Sequence, residues 1–157
     1  MNMLLPMPNL KILRLSVAPN FLDVLDLQLY KSITDGLPSL EKLWLGHSEF
    51  LATSEFEGIT YYERVPLHHL AAFCSTLPNL VEVSMGTVDG LTLEESPRTE
   101  WACLSVESLT IRHWAGRDIA GGVSRDLLHL GLATYFPNSD LAKTEFNSRW
   151  WIFDEAN

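Results

Sequence analysis

Residues 37–46 read LPSLEKLWLG, and the same frame returns at 7–16 as MPNLKILRLS and at 77–86 as LPNLVEVSMG. Weaker copies follow at 104–112 (LSVESLTIR) and 125–132 (RDLLHLGL). Each copy holds apolar residues in an L-x-x-L-x-L pattern. The anchors are Leu10, Leu13 and Leu15; Leu40, Leu43 and Leu45; and Leu80, Val83 and Met85. The later copies supply Val106, Leu109 and Ile111, then Leu127, Leu130 and Leu132. Alternation with period two makes each copy a short strand with one apolar face, and no such strand can bury that face alone. The copies must stack, and stacked repeats predict strands at about 10–16, 40–45, 80–85, 106–112 and 127–132.

The intervening segments set what joins these strands. Asn20 is placed to cap a helix over about 20–35, whose apolar members include Phe21, Val24, Leu25 and Ile33. The alternation of Leu25, Leu27 and Leu29 offers a strand at 22–29 instead. A repeat needs its connection there, which favours the helix, and Gly36 and Pro38 end it. Residues 46–64 hold no period and read as an insertion loop, a common place for binding residues. Pro66 opens a helix over about 66–76, with Leu67, Leu70, Ala71, Cys74 and Leu77 as its buried stripe. Residues 87–103 form an acidic loop, 115–122 a turn-rich connector, and 140–151 a final capping helix with Trp150 and Trp151. First anchors at 10, 40, 80, 106 and 127 give spacings of 30, 40, 26 and 21 residues, against roughly 20–29 in regular arrays. The whole chain, 1–157, is thus one irregular domain.

Bulk properties narrow the function. The 157 residues are 46 % hydrophobic and 20 % charged, the composition of a folded globular domain. A net charge of −9 opposes binding to nucleic-acid phosphates or to an anionic membrane surface. The two cysteines, Cys74 and Cys103, make no disulfide framework, and Cys74 reads as a small buried hydrophobe. The start, MNMLLPMPNL, lacks the pattern of a secretory signal, and no apolar run reaches the roughly 18 residues of a membrane span. The expected location is intracellular, cytosol or nucleus. Met1, Met3, Leu4, Leu5 and Met7 put apolar surface at the open end of the array. Either they fold back as a cap, or the chain continues a longer one.

With these strands placed, the chain resembles the leucine-rich-repeat region of F-box proteins, in particular the divergent fungal type. The resemblance spans about 7–132 and rests on Pro8-Asn9-Leu10, Pro38-Ser39-Leu40 and Pro78-Asn79-Leu80, each preceding a strand. It implies an α/β leucine-rich-repeat solenoid, with a curved parallel sheet of about five strands and helices on the convex side. In that family the repeats select a substrate, and a helical F-box module recruits a ubiquitin-ligase adaptor. No F-box-like segment precedes residue 10, so only the recognition half carries over. Assembly into a ligase then requires an F-box upstream.

Strand geometry names the candidate site. With the anchors inward, their neighbours form outward columns. The first is Ile12, Lys42, Glu82, Ser108 and His129; the second is Arg14, Trp44, Ser84, Thr110 and Gly131. The third is Ser16, Gly46, Gly86, Arg112 and Ala133. Trp44, flanked by Arg14, Lys42, Glu82 and Arg112, is the expected anchor for a protein partner. The alternative is that Trp44 packs beneath the 46–64 loop. No metal or cofactor is expected: adjacent His68 and His69 diverge on a helix, and no second ligand pair stands at zinc spacing. No nucleophile elbow or phosphate-binding glycine loop is present, and Glu94-Glu95 reads as solvated. The function expected is a non-catalytic interaction scaffold. The alternatives are a truncated or decayed repeat fragment and, last, a small hydrolase.

Overall fold

Four short apolar runs in this chain become parallel strands because the same four-residue turn delivers the chain to each of them. In the computed structural model, which describes residues 6–15, 20–46, 65–89, 92–115 and 123–140, the turns fall at Met7–Leu10, Leu37–Leu40, Leu77–Leu80, Cys103–Val106 and Phe136–Ser139. In each the fourth N–H donates to the first carbonyl, at 3.0, 3.2, 3.3, 3.3 and 3.1 Å respectively. Pro8, Pro38, Pro78 and Pro137 occupy the second position, where the fixed φ of proline pre-forms such a turn. Successive turns are tied together. Met7 N donates to Gly36 O at 2.8 Å, Asn79 Nδ2 to Pro38 O at 2.8 Å and Asn138 Nδ2 to Leu104 O at 2.7 Å.

Each turn then steps onto the next strand in one way. Lys11 O accepts from Glu41 N and Lys42 N, both at 2.9 Å, and Glu41 O from Val81 N and Glu82 N at 2.8 and 3.0 Å. Val81 O accepts from Glu107 N and Ser108 N at 2.9 and 3.1 Å, and Glu107 O from Asp140 N at 3.4 Å. The strands beyond this stair are β1 (Ile12–Leu15), β2 (Lys42–Leu45), β4 (Glu82–Asp89) and β5 (Ser108–Ala115). They are parallel, in the order β1-β2-β4-β5, with Ile12, Lys42, Glu82 and Ser108 in register. A two-residue strand, β3 (Val65–Pro66), pairs with Val88 and Asp89, continuing along β4 where β2 leaves off.

Among the described residues there are three α-helices: α1 (Leu27–Thr34) after β1, α2 (Leu67–Cys74) after β3 and α3 (Val123–Tyr135) after β5. Helix α1 begins later than expected because Asp26, not Asn20, caps it. Its Oδ1 accepts from Gln28 N and Leu29 N, both at 3.0 Å. Asn20 lies in a short 3-10 turn, Asn20–Leu22. Pro66 stands immediately before α2 with ψ 136°, extended rather than helical. The loop expected over 87–103 is shorter, since β4 runs on to Asp89 and Thr99–Trp101 form a 3-10 turn.

The strand expected at 127–132 is instead helix. Leu128, Gly131, Leu132, Tyr135 and Phe136 are the buried positions, a helical period, whereas Leu130 is 42 % exposed. His129 and Gly131 are therefore not strand residues in the outward columns. The fifth copy of the frame is the Phe136–Ser139 turn, ten residues further on than Asp126. Most of the insertion loop (47–64), most of the connector (116–122) and the capping helix with Trp150 and Trp151 lie outside the described residues, as do Met1, Met3, Leu4 and Leu5.

The inward side chains Leu43, Leu45, Val83, Met85, Leu109 and Ile111 meet the helices in one apolar core, joined by the turn anchors Leu40, Leu80 and Val106. Each such side chain contributes about 1.5–3 kcal/mol by leaving water. Phe21, Tyr30 and Phe73 close the α1–α2 side, with ring centroids 5.1 to 6.2 Å apart. Tyr30 OH donates to Val24 O at 2.9 Å. Burial, with Asp26 and Asp23 nearby, pushes that phenol up to about 12. Among the described residues no helix is long and apolar enough to cross a membrane.

Two glycines let β4 outrun β2. Gly46 leaves β2 with φ 69°, a left-handed turn favoured by glycine. Its carbonyl oxygen lies where a Cβ on Gly86 would stand, 2.1 Å away. Gly86→Ala must displace backbone rather than a flexible side chain. We expect a cost of about 3 kcal/mol, a fall in Tm of roughly 6–12 °C by thermal denaturation. An unchanged Tm would mean that Gly46 does not approach Gly86.

Candidate functional site: the face of the sheet away from the core

The stair puts Arg14 beside Trp44 and Lys42 beside Glu82, because Arg14 pairs with Trp44 and Lys42 with Glu82 in the strand register. All four project from the face opposite the core. Arg14 Cζ lies 3.6 Å from the centroid of the Trp44 ring, a cation–π contact of about 0.5–1 kcal/mol at an exposed site. Trp44 Nε1 donates to Glu82 Oε1 and Lys42 Nζ to Glu82 Oε2, both at 2.8 Å. The hydrogen bond from Lys42, helped by that from Trp44 and by the charges of Lys42 and Arg14, holds the Glu82 carboxyl below its usual range against the opposing effect of burial. The Trp44 ring is thus held at both ends, by Arg14 on its face and Glu82 on its edge. Ser84, the next residue in that row, is buried.

Around this cluster the surface is mixed. Ile12 is 47 % exposed, and Lys11 Nζ pairs with Glu41 Oε1 at 2.8 Å. Arg112 lies in β5 between Ile111, which pairs with Met85, and His113, which pairs with Thr87. That position is two strands from Trp44, and the Arg112 side chain falls outside the described residues. The structure therefore brings together Arg14, Trp44, Lys42 and Glu82, with Arg112 on a separate strand. The columns were legible from the sequence. The role of Glu82 as acceptor for two donors was not, since it depends on side-chain rotamers and not on spacing.

A second polar cluster sits beyond the start of α2. His69 Nδ1 donates to Leu22 O at 2.7 Å. The His68 ring packs edge-on against His69 at 4.4 Å and lies nearly parallel to Trp101 at 6.3 Å. His68 Nδ1 is buried with no hydrogen-bond partner among the described residues. Glu94 accepts from Tyr135 OH, and Arg98 stacks on Trp101 at 4.8 Å. Glu94 is therefore engaged with α3 and not simply solvated. Nothing in the local spacing announces a contact with a residue so far along the chain. Among the described residues, no three His, Cys, Asp or Glu side chains converge as metal ligands.

Set against known proteins, the chain matches no protein-family model, no curated protein and no solved structure.

Burial lowers the His68 pKa; His69 and Arg98 add to that and Glu94 opposes it. The folded chain then binds a proton at His68 less readily than the unfolded chain does. This contribution to stability is whole above about pH 6.5 and is lost as pH falls below it. The Tm of the wild type should drop between pH 7.5 and pH 5, and His68→Gln should drop less. Parallel pH profiles for the two would remove His68 from that account.

Proposed function

We propose that this chain is a non-catalytic scaffold, an irregular leucine-rich-repeat solenoid that takes a protein partner on the strand face away from its core. By its resemblance to F-box proteins with such repeats, the partner is a degradation substrate, and ligase assembly depends on an F-box upstream. The observation that carries the reading is Trp44, held between Arg14 and Glu82 on the face away from the core. Parallel sheets are usually covered on both faces. Here, among the described residues, the core and helices lie on one face only.

A partly buried tryptophan with a fixed ring suits such an interface. Its area is large, and ordering it on binding costs little because Arg14 and Glu82 already hold it. The Lys42–Glu82 pair beside it supplies charges of both signs at fixed positions, which favours selectivity over general stickiness.

The test is quantitative capture from the source cells by the wild type, Trp44→Ala, Arg14→Glu and, as a control on α1, Lys31→Glu. The expected result is a partner held by the wild type and the control, and weakened by about 30-fold or more in Trp44→Ala. Circular dichroism should be unchanged in all four. Equal capture of that partner by Trp44→Ala and Arg14→Glu would move the binding site off this face.

A further inference from the structure

Cys74 and Cys103 reach one place in the core from separate parts of the chain. Cys74 ends α2, and Cys103 heads the turn that leads into β5; they are 1 % and 3 % exposed. Both are free thiols. Cys103 is held firmly: its N–H donates to Tyr135 O at 2.7 Å, and its Sγ lies 3.4 Å from Ala71 O and 3.5 Å from Trp101 O. Ala71 is three residues before Cys74, so this contact sets the Cys103 sulfur against the last turn of α2. Cys74 stands on the same face of that helix turn, so its side chain and the Cys103 sulfur lie against the same stretch of α2. Burial, and then the contact with Cys103, push the Cys74 thiol well up. The thiolate that would react is thereby suppressed while the fold is closed.

We propose that Cys74 and Cys103 form a reversible disulfide within the chain, a redox-sensitive staple between α2 and the connection from β4 to β5. The oxidant class is a small-molecule disulfide such as oxidised glutathione. One cysteine loses its proton to solvent, and its thiolate attacks a glutathione sulfur. This forms a mixed disulfide and releases one glutathione thiolate. The second cysteine, deprotonated in turn, attacks the protein sulfur of the mixed disulfide and releases the second glutathione. The protein gives up two electrons and two protons, and one oxidised glutathione becomes two reduced ones. The sulfurs must close to about 2.05 Å. Because both are buried, the exchange proceeds when α2 or the turn opens, and it is slow in the closed state. Reducing conditions keep the pair as thiols. The staple would close a loop that contains β4, the strand carrying Glu82 on the face away from the core.

The experiment uses the full 157-residue chain. One sample is incubated folded with oxidised glutathione, and one is refolded in a buffer of oxidised and reduced glutathione. The expected product is a monomer lighter by two hydrogens, with no thiol titrated after denaturation. Digestion should give a single cross-linked peptide pair joining Cys74 to Cys103. Its Tm should rise by about 5–10 °C and return on reduction. Cys103→Ser, treated alike, should stop at a glutathione adduct on Cys74. If the wild type stays reduced even after refolding, retains glutathione, or forms disulfide-linked dimers, the proposal is overturned.

Discussion

One backbone arrangement, a carbonyl accepting from two successive N–H groups of the next repeat, governs the rest of this structure. It recurs at Lys11, Glu41 and Val81 with nearly the same lengths. It matters because strand side chains alternate, so a slip of one residue would exchange the two faces of the sheet. Held in this register, Leu43, Val83 and Leu109 go inward and Lys42, Trp44 and Glu82 outward. The proline-led turns make the arrangement repeatable. They deliver β1, β2 and β4 at the same height, the Cys103–Val106 turn does the same for β5 without a proline, and Asn79 and Asn138 tie neighbouring turns through their side-chain amides.

Two unlike surfaces follow from the single register. On the inner side, large apolar groups interlock with three helices, and the fold draws its stability there. On the outer side, charges of both signs stand next to one another around the Trp44 indole. These polar contacts add little to stability individually, because each competes with water. Their consequence is positional: Arg14 and Glu82 constrain the Trp44 ring from two directions. Such a ring is pre-ordered for contact, which links the backbone stair to the proposed function.

Most of this was legible in the sequence, and the failures have identifiable causes. The L-x-x-L-x-L frame located β1, β2, β4 and β5 and aligned Ile12, Lys42, Glu82 and Ser108 as they stand in the sheet. It failed at 127–132, where Leu127, Leu130 and Leu132 match the frame but sit within a helical burial pattern, with Leu128 and Leu132 buried and Leu130 exposed. The better signal was Phe136-Pro137-Asn138, an echo of Leu77-Pro78-Asn79 that forms the fifth turn. Asn20 and Asp26 are both good capping residues, and only the tertiary position of Phe21 and Leu22 against α2 separates them. Long-range polar contacts, such as Glu94 with Tyr135, leave no periodic trace at all.

The stair places Trp44 outward, between Arg14 and Glu82. Proton NMR of the indole ring tests it most directly. Nuclear Overhauser contacts are expected from the Trp44 ring to the Arg14 side chain, with an indole N–H protected from exchange by its bond to Glu82. Contacts from that ring to Leu43, Val83 or the α2 side chains instead would place it in the core and contradict the account.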